Sequence, residues 1–64
     1  MITYNDIIEA KEKANSYFLE VFGYNNGAKI ESKINEGDYT IITFYSIDDP
    51  AMDDTFSCKI PSNY

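Results

Sequence analysis

The chain has no histidine, tryptophan or arginine, and it carries one cysteine, three glycines and two prolines in 64 residues. Each shortage narrows what the molecule can do. Histidine is the usual proton carrier at neutral pH, and arginine is the usual bidentate clamp for phosphate. Lacking both, the chain is expected not to be an enzyme. The lone cysteine, Cys58, forbids an internal disulfide and fits a reducing compartment. With no histidine to act as its base, Cys58 reads as a small buried apolar side chain rather than a nucleophile. No apolar run approaches the roughly 20 residues of a membrane span. Residues 1–8 lack the basic end and apolar run of a signal peptide. The expectation is a cytoplasmic protein.

What is present organises itself around one amphipathic helix, expected over about residues 4–22. Thr3 and Asp6 have capping-box spacing, and Ile2 and Ile7 stand at the positions of a hydrophobic staple. At about 100° per residue, Ile7, Ala10, Ala14, Tyr17, Phe18, Val21 and Phe22 fall on one side. Asp6, Glu9, Glu12, Lys13, Ser16 and Glu20 fall on the other. Tyr4, Ile8 and Leu19 widen one edge of the apolar arc; Ile8 and Leu19 lie nearly on one line, which reads either as the margin of the core or as a contact strip. Gly23 can take the left-handed conformation that closes a helix.

The rest of the chain reads as three strands, about 28–34, 38–47 and 55–60. Residues 28–34 alternate as a half-buried strand does. Asn35, Glu36 and Gly37 suit a three-residue loop with a left-handed glycine and a bulge. That loop pairs Ile34 with Asp38, Ile30 with Ile42, and Ala28 with Phe44. A two-residue loop would put Ile42 and Phe44 beside the lysines. Residues 38–47 are apolar on both faces and form the expected central strand. Thr55 opens a third strand with Phe56, Cys58 and Ile60 inward, which Pro61 ends; Ser62, Asn63 and Tyr64 read as a frayed tail.

The expected fold is therefore α+β: one N-terminal helix on a three-stranded antiparallel meander (αβββ), as one small domain over residues 1–64. Its expected core is Ile7, Ala14, Phe18, Val21, Phe22, Ile30, Ile34, Ile42, Phe44, Phe56, Cys58 and Ile60. The other sheet face would carry Lys29, Lys33, Tyr39, Ile41, Thr43, Tyr45, Ile47 and Lys59. A domain of this size buries only about 60% of its unfolded surface, so its stability is modest.

The formal net charge is −6, and it is localised. Residues 4–22 hold four acids and two lysines (−2), residues 48–54 hold four aspartates (−4), and elsewhere three lysines offset three acids. Such a field repels nucleic acid and favours basic partners. Asp48, Asp49, Asp53 and Asp54 are hard oxygen ligands, but the loop lacks the spacing, turn glycine and terminal glutamate of an EF-hand; a solvated loop or a contact for a basic partner fits better, and no metal or cofactor is expected. On the helix, Asp6, Glu9 and Glu12 recur every third residue, about 4.5 Å apart along the axis, with Glu20 on the same side; carboxylates carried this way can imitate nucleic-acid charge. Tyr39 and Tyr45, flanked by Lys29, Lys33 and Lys59, superficially suggest a base-stacking platform. Net charge opposes that, and with Ile41 they read better as a protein-contact or self-association patch.

In length, charge and layout the chain resembles the small acidic proteins that phages encode against host defences, such as anti-CRISPR proteins and DNA mimics. The resemblance implies an inhibitor that covers a basic nucleic-acid-binding surface of a host defence protein. The expected partner-binding residues are Glu9, Glu12, Glu20, Asp48, Asp49, Asp53, Asp54, Tyr39 and Tyr45, with no catalytic residue and no direct nucleic-acid contact. The alternatives are a structural or homo-oligomeric module, joined through the outer sheet face or the Ile8 and Leu19 strip, and an immunity or antitoxin-like protein.

Overall fold

The computed structural model describes residues 3–61. One helix, α1 (Tyr4–Phe22), lies on a three-stranded antiparallel sheet of β1 (Ala28–Glu36), β2 (Tyr39–Ser46) and β3 (Thr55–Pro61), in the order β1-β2-β3. This is the α+β meander expected from the sequence. Ile2 of the expected staple and the Ser62, Asn63 and Tyr64 tail fall outside the described residues.

α1 begins and ends as its residues dictate. The Thr3 amide donates to Asp6 Oδ2 at 2.9 Å and the Asp6 amide donates to Thr3 Oγ1 at 3.2 Å, closing a reciprocal capping box. At the other end Gly23 adopts φ +80° and its amide donates to the Leu19 carbonyl at 2.9 Å. A side chain at that φ is strained, so glycine is the residue that stops the helix cleanly.

The core lies between α1 and the sheet. Ala10, Ala14 and Phe18 of α1 are buried against Ala28, Ile42, Phe44 and Ile60, with Ile7, Tyr17, Phe22, Phe56 and Cys58 packed around them. Small residues at 10 and 14 let the helix backbone come down close to the strands. Phe18 then fills the space, edge-on to Tyr17 at 5.4 Å and stacked with Phe22 at 6.0 Å between ring centroids. Tyr17 reaches Phe56 of β3 at 5.3 Å. Each large apolar side chain buried here contributes about 1.5–3 kcal/mol.

The hairpin register differs from the expected one. Glu36 pairs with Tyr39 across a two-residue turn of Gly37 and Asp38, in place of Ile34 with Asp38 across a three-residue loop. Gly37 has φ +62° and Asp38 does not have positive φ. That is the arrangement of a type II′ turn, whose twist matches the right-handed twist of the strands. The bulge sits upstream, between Ile30 and Ser32.

Faces follow from that bulge. Before it, Ile30 pairs with Phe44 and Ala28 with Ser46, instead of Ile42 and Phe44. Beyond it, Lys33 pairs with Ile42 and Ile34 with Ile41. Lys33 thus leaves the outer sheet face and Ile34 joins it, because one extra residue reverses the alternation. Ile34 is 54% exposed and Ile30, on the outer strand, 43%. Val21, in the last turn of α1, is 45% exposed. The expected core therefore loses Val21, Ile30 and Ile34 and gains Ala10, Tyr17 and Ala28.

This register separates two isoleucines that look alike in the sequence. Ile42→Ala is expected to cost about 2–5 kcal/mol, while Ile34→Ala stays within about 0.5 kcal/mol of the parent. Urea unfolding followed by circular dichroism measures both; equal losses would contradict the bulged register.

Candidate functional site

Three surfaces carry the candidate residues. The first is the outward side of α1, where Glu9, Glu12 and Glu20 are exposed. Among the described residues, no hydrogen bond or ion pair engages these three carboxylates. Asp6, the first member of the same series, is committed to the helix cap. Among the described residues, the free negative charge on the helix is therefore Glu9, Glu12 and Glu20, of which Glu9 borders a cleft beside β3.

The second surface is the loop between β2 and β3, and its four aspartates divide by task. Asp48 accepts from the Asn26 amide through Oδ2 at 3.1 Å and from the Asn26 side chain through Oδ1 at 2.8 Å. Its own amide donates to Ser46 Oγ at 3.1 Å, and the buried Ser46 hydroxyl donates back at 3.5 Å. Asp49 Oδ2 accepts from the Asp54 amide at 3.1 Å, and the Asp49 carbonyl accepts from Met52, which sits at φ +57°. Positive φ is uncommon for a non-glycine residue, and here the Asp49 bonds hold the turn around it. Among the described residues, the carboxylates of Asp53 and Asp54 have no such duty. Nor do three or more candidate ligands gather to hold a metal among the described residues.

The link from Asp48 to Asn26 matters beyond the loop. Asn26 lies between α1 and β1, so the clamp ties the helix-to-sheet connection to the far end of β2. The same connection is held by Asn25, which donates to Asn15 of α1 at 3.0 Å and accepts from the Gly27 amide at 3.2 Å. The Ile47 amide donates to the Gly27 carbonyl at 3.1 Å. The sequence marks these asparagines as turn residues, but nothing in their spacing announces a bond 22 positions along the chain.

The third surface is the outer face of the sheet, which α1 leaves uncovered. Tyr39 is exposed there, Ile41, Thr43 and Tyr45 are half-buried, and Ile34 stands beside Ile41. Lys59 Nζ sits 4.4 Å from the Tyr39 ring centroid, a cation–π contact, and Thr43 and Ser57 share a hydroxyl hydrogen bond at 2.9 Å. Tyr39 and Tyr45 are thus both on this face, opposite to the one that carries Glu9, Glu12 and Glu20. A flat partner can meet the glutamates or the tyrosines but not both. Cys58 lies inward and half-buried, a free thiol packed against the core.

Among the described residues, clefts run along both sides of α1. One, of about 160 Å³, runs beside β3 and includes Asp6, Glu9, Lys13 and Cys58. The other, of about 490 Å³, runs beside β1 and is lined by Tyr4, Ile7, Ile8, Lys11, Ala28, Lys29 and Ile30. Sequence reasoning assigned this larger cleft no role; its signal was the extra width that Tyr4 and Ile8 give the helix's apolar arc. No helix among the described residues is long and apolar enough to cross a membrane. Comparison with protein-family models, curated proteins and solved structures finds no match.

The two classes of loop aspartate respond differently to truncation. Asp48→Ala leaves Asn26 and Ser46 without their acceptor and is expected to lower stability by roughly 1–3 kcal/mol. Asp53→Ala is expected to stay within about 0.5 kcal/mol. Thermal melts of the two variants beside the parent make the comparison, and equal melting temperatures would refute the clamp.

Proposed function

We propose that the protein is a small acidic binding protein that works by contact and performs no chemistry. Its target is a basic, nucleic-acid-binding surface on another protein. The role is that of an inhibitor of the phage-encoded, anti-CRISPR-like or DNA-mimic-like kind, directed at a host defence protein. The observation that carries this reading is the set of Glu9, Glu12 and Glu20, exposed on α1 and without partners among the described residues. A carboxylate already committed to a bond within the fold has less to offer a partner, so these three, with Asp53 and Asp54, are the primary contact. Asp48 and Asp49 contribute to the field of the loop while they hold it in shape. In a molecule of net charge −6, that field speeds encounter with a basic surface.

A second reading rests on the outer sheet face. Ile34 joins Tyr39, Ile41 and Tyr45 there, making the patch more apolar than the expected register allowed. Tyrosines in such a patch serve as desolvated anchors, either for a partner that reaches around the molecule or for a second copy. Ile8 and Leu19, both exposed on α1, are the other self-association strip.

Replacing Glu9, Glu12 and Glu20 together by Gln separates these readings without touching the core. Tagged protein used as bait in a lysate of its native host is expected to retain a nucleic-acid-binding protein, to release it as salt is raised, and to lose it to competing DNA or RNA. The triple variant should bind that protein at least about tenfold more weakly, as the loss of close charge pairs at an interface implies. Undiminished binding by the triple variant defeats the electrostatic mechanism. Light scattering at two concentrations addresses the second reading: a mass that rises with concentration supports self-association, and a constant monomer mass removes it.

A further inference from the structure

The cleft between the first half of α1 and β1 combines three features. Its floor and walls are apolar: Ile7 and Ala28 at the bottom, Tyr4, Ile8 and Ile30 exposed above them. Its polar rim is of one sign. Lys11 and Lys29 line it and no acid does, in a chain where 11 acids face five lysines. Its third feature is backbone. β1 has β2 on one side and no strand on the other among the described residues, so its outer edge offers unpaired amides and carbonyls along the cleft.

From these we infer that the cleft docks an extended segment of a partner protein whose residues alternate between apolar and acidic, laid beside Ala28, Lys29 and Ile30 as an added strand. Backbone hydrogen bonds to the β1 edge supply affinity, and alternate side chains supply selectivity. Apolar side chains of the segment enter between Ile8 and Ile30 and cover Tyr4 below Lys11, while the alternate carboxylates fall on the outer sheet face and meet Lys29, which pairs with Tyr45 there. The bulge after Ile30 breaks the regular ladder and ends the added strand there, so the edge accepts a short segment and resists open-ended pairing.

Charge selects this occupant over a second copy. Two copies joined symmetrically through the cleft would bring Lys11 and Lys29 of each together, four ammonium groups in one interface. The cleft is also distinct from Glu9, Glu12 and Glu20, and it favours a segment of the sign that those glutamates repel. It therefore stands or falls apart from the contact with a basic surface.

The probe is a synthetic peptide alternating valine and glutamate, with an alternating valine and lysine peptide as control, each titrated into isotope-labelled full-length protein. Amide shifts are expected at residues 7–11 and 28–31, with slowed hydrogen exchange along the outer edge of β1, for the glutamate peptide alone. Lys11→Glu with Lys29→Glu should weaken that binding at least tenfold, and Ile30→Gln should weaken it while leaving the melting temperature near that of the parent, because Ile30 is already 43% exposed. Glu9→Gln with Glu12→Gln should not weaken it, because those carboxylates repel the glutamate peptide instead of holding it. Shifts confined to other surfaces, equal binding of both peptides, or full binding by the lysine-reversed protein would overturn the proposal. Concentration-dependent dimerisation mapping to these same amides would overturn the choice of occupant.

Discussion

The buried cluster that α1 shares with the sheet, with Phe18 as its largest helical member, is the contact on which the molecule depends. A three-stranded sheet of this length has no core of its own; one face must be covered. Ala10, Ala14 and Phe18 form the line along which α1 covers it, two small residues for close approach and one large ring to fill the gap. Ile42 and Phe44 on the central strand belong to the same buried cluster, and Tyr17 and Phe22 stand against the Phe18 ring. With one layer of helix and one of sheet, every other side chain is either at the rim of this contact or on a surface. That is why so many large apolar residues remain partly exposed.

The polar bonds around the core set the path of the chain rather than the depth of burial. Thr3 and Asp6 fix where α1 begins, Gly23 fixes where it ends, and Asn25 and Asn26 steer the chain into β1. Asp48 then fastens that turn to the end of β2. Both buried polar side chains of the sheet, Thr40 and Ser46, are satisfied, by Asn35 and by Asp48 respectively. An aspartate in this loop is therefore not simply surplus charge; its position decides whether it serves the fold or the surface.

Two layers also give two opposed surfaces of different character. One side of α1 is negative, with Glu9, Glu12 and Glu20 unpartnered among the described residues. The outer sheet face carries tyrosine, isoleucine and lysine, with Lys59 laid over Tyr39. Between them, along the β1 edge, lies the apolar cleft with its two lysines. Separation of charge of this kind lets one small molecule present different chemistry in different directions.

Local patterning of residues was enough for the helix, its capping residues at Thr3 and Asp6, its stop at Gly23, the strand order, and the inward set of the second and third strands. Those are local matters: periods of 3.6 and 2, a cap within three residues, a left-handed glycine. It also determined that Glu9, Glu12 and Glu20 face away from the core. Only the tertiary structure decided the face of Ile34, the exposure of Val21 and Ile30, and the duties of Asp48 and Asp49. The position of one bulged residue reverses every side chain beyond it, and choosing Glu31 over the turn depends on how the whole hairpin lies under α1. The Asp48 bond to Asn26 joins residues distant in the chain, and burial depends on what lies across the gap, neither of which is written in spacing.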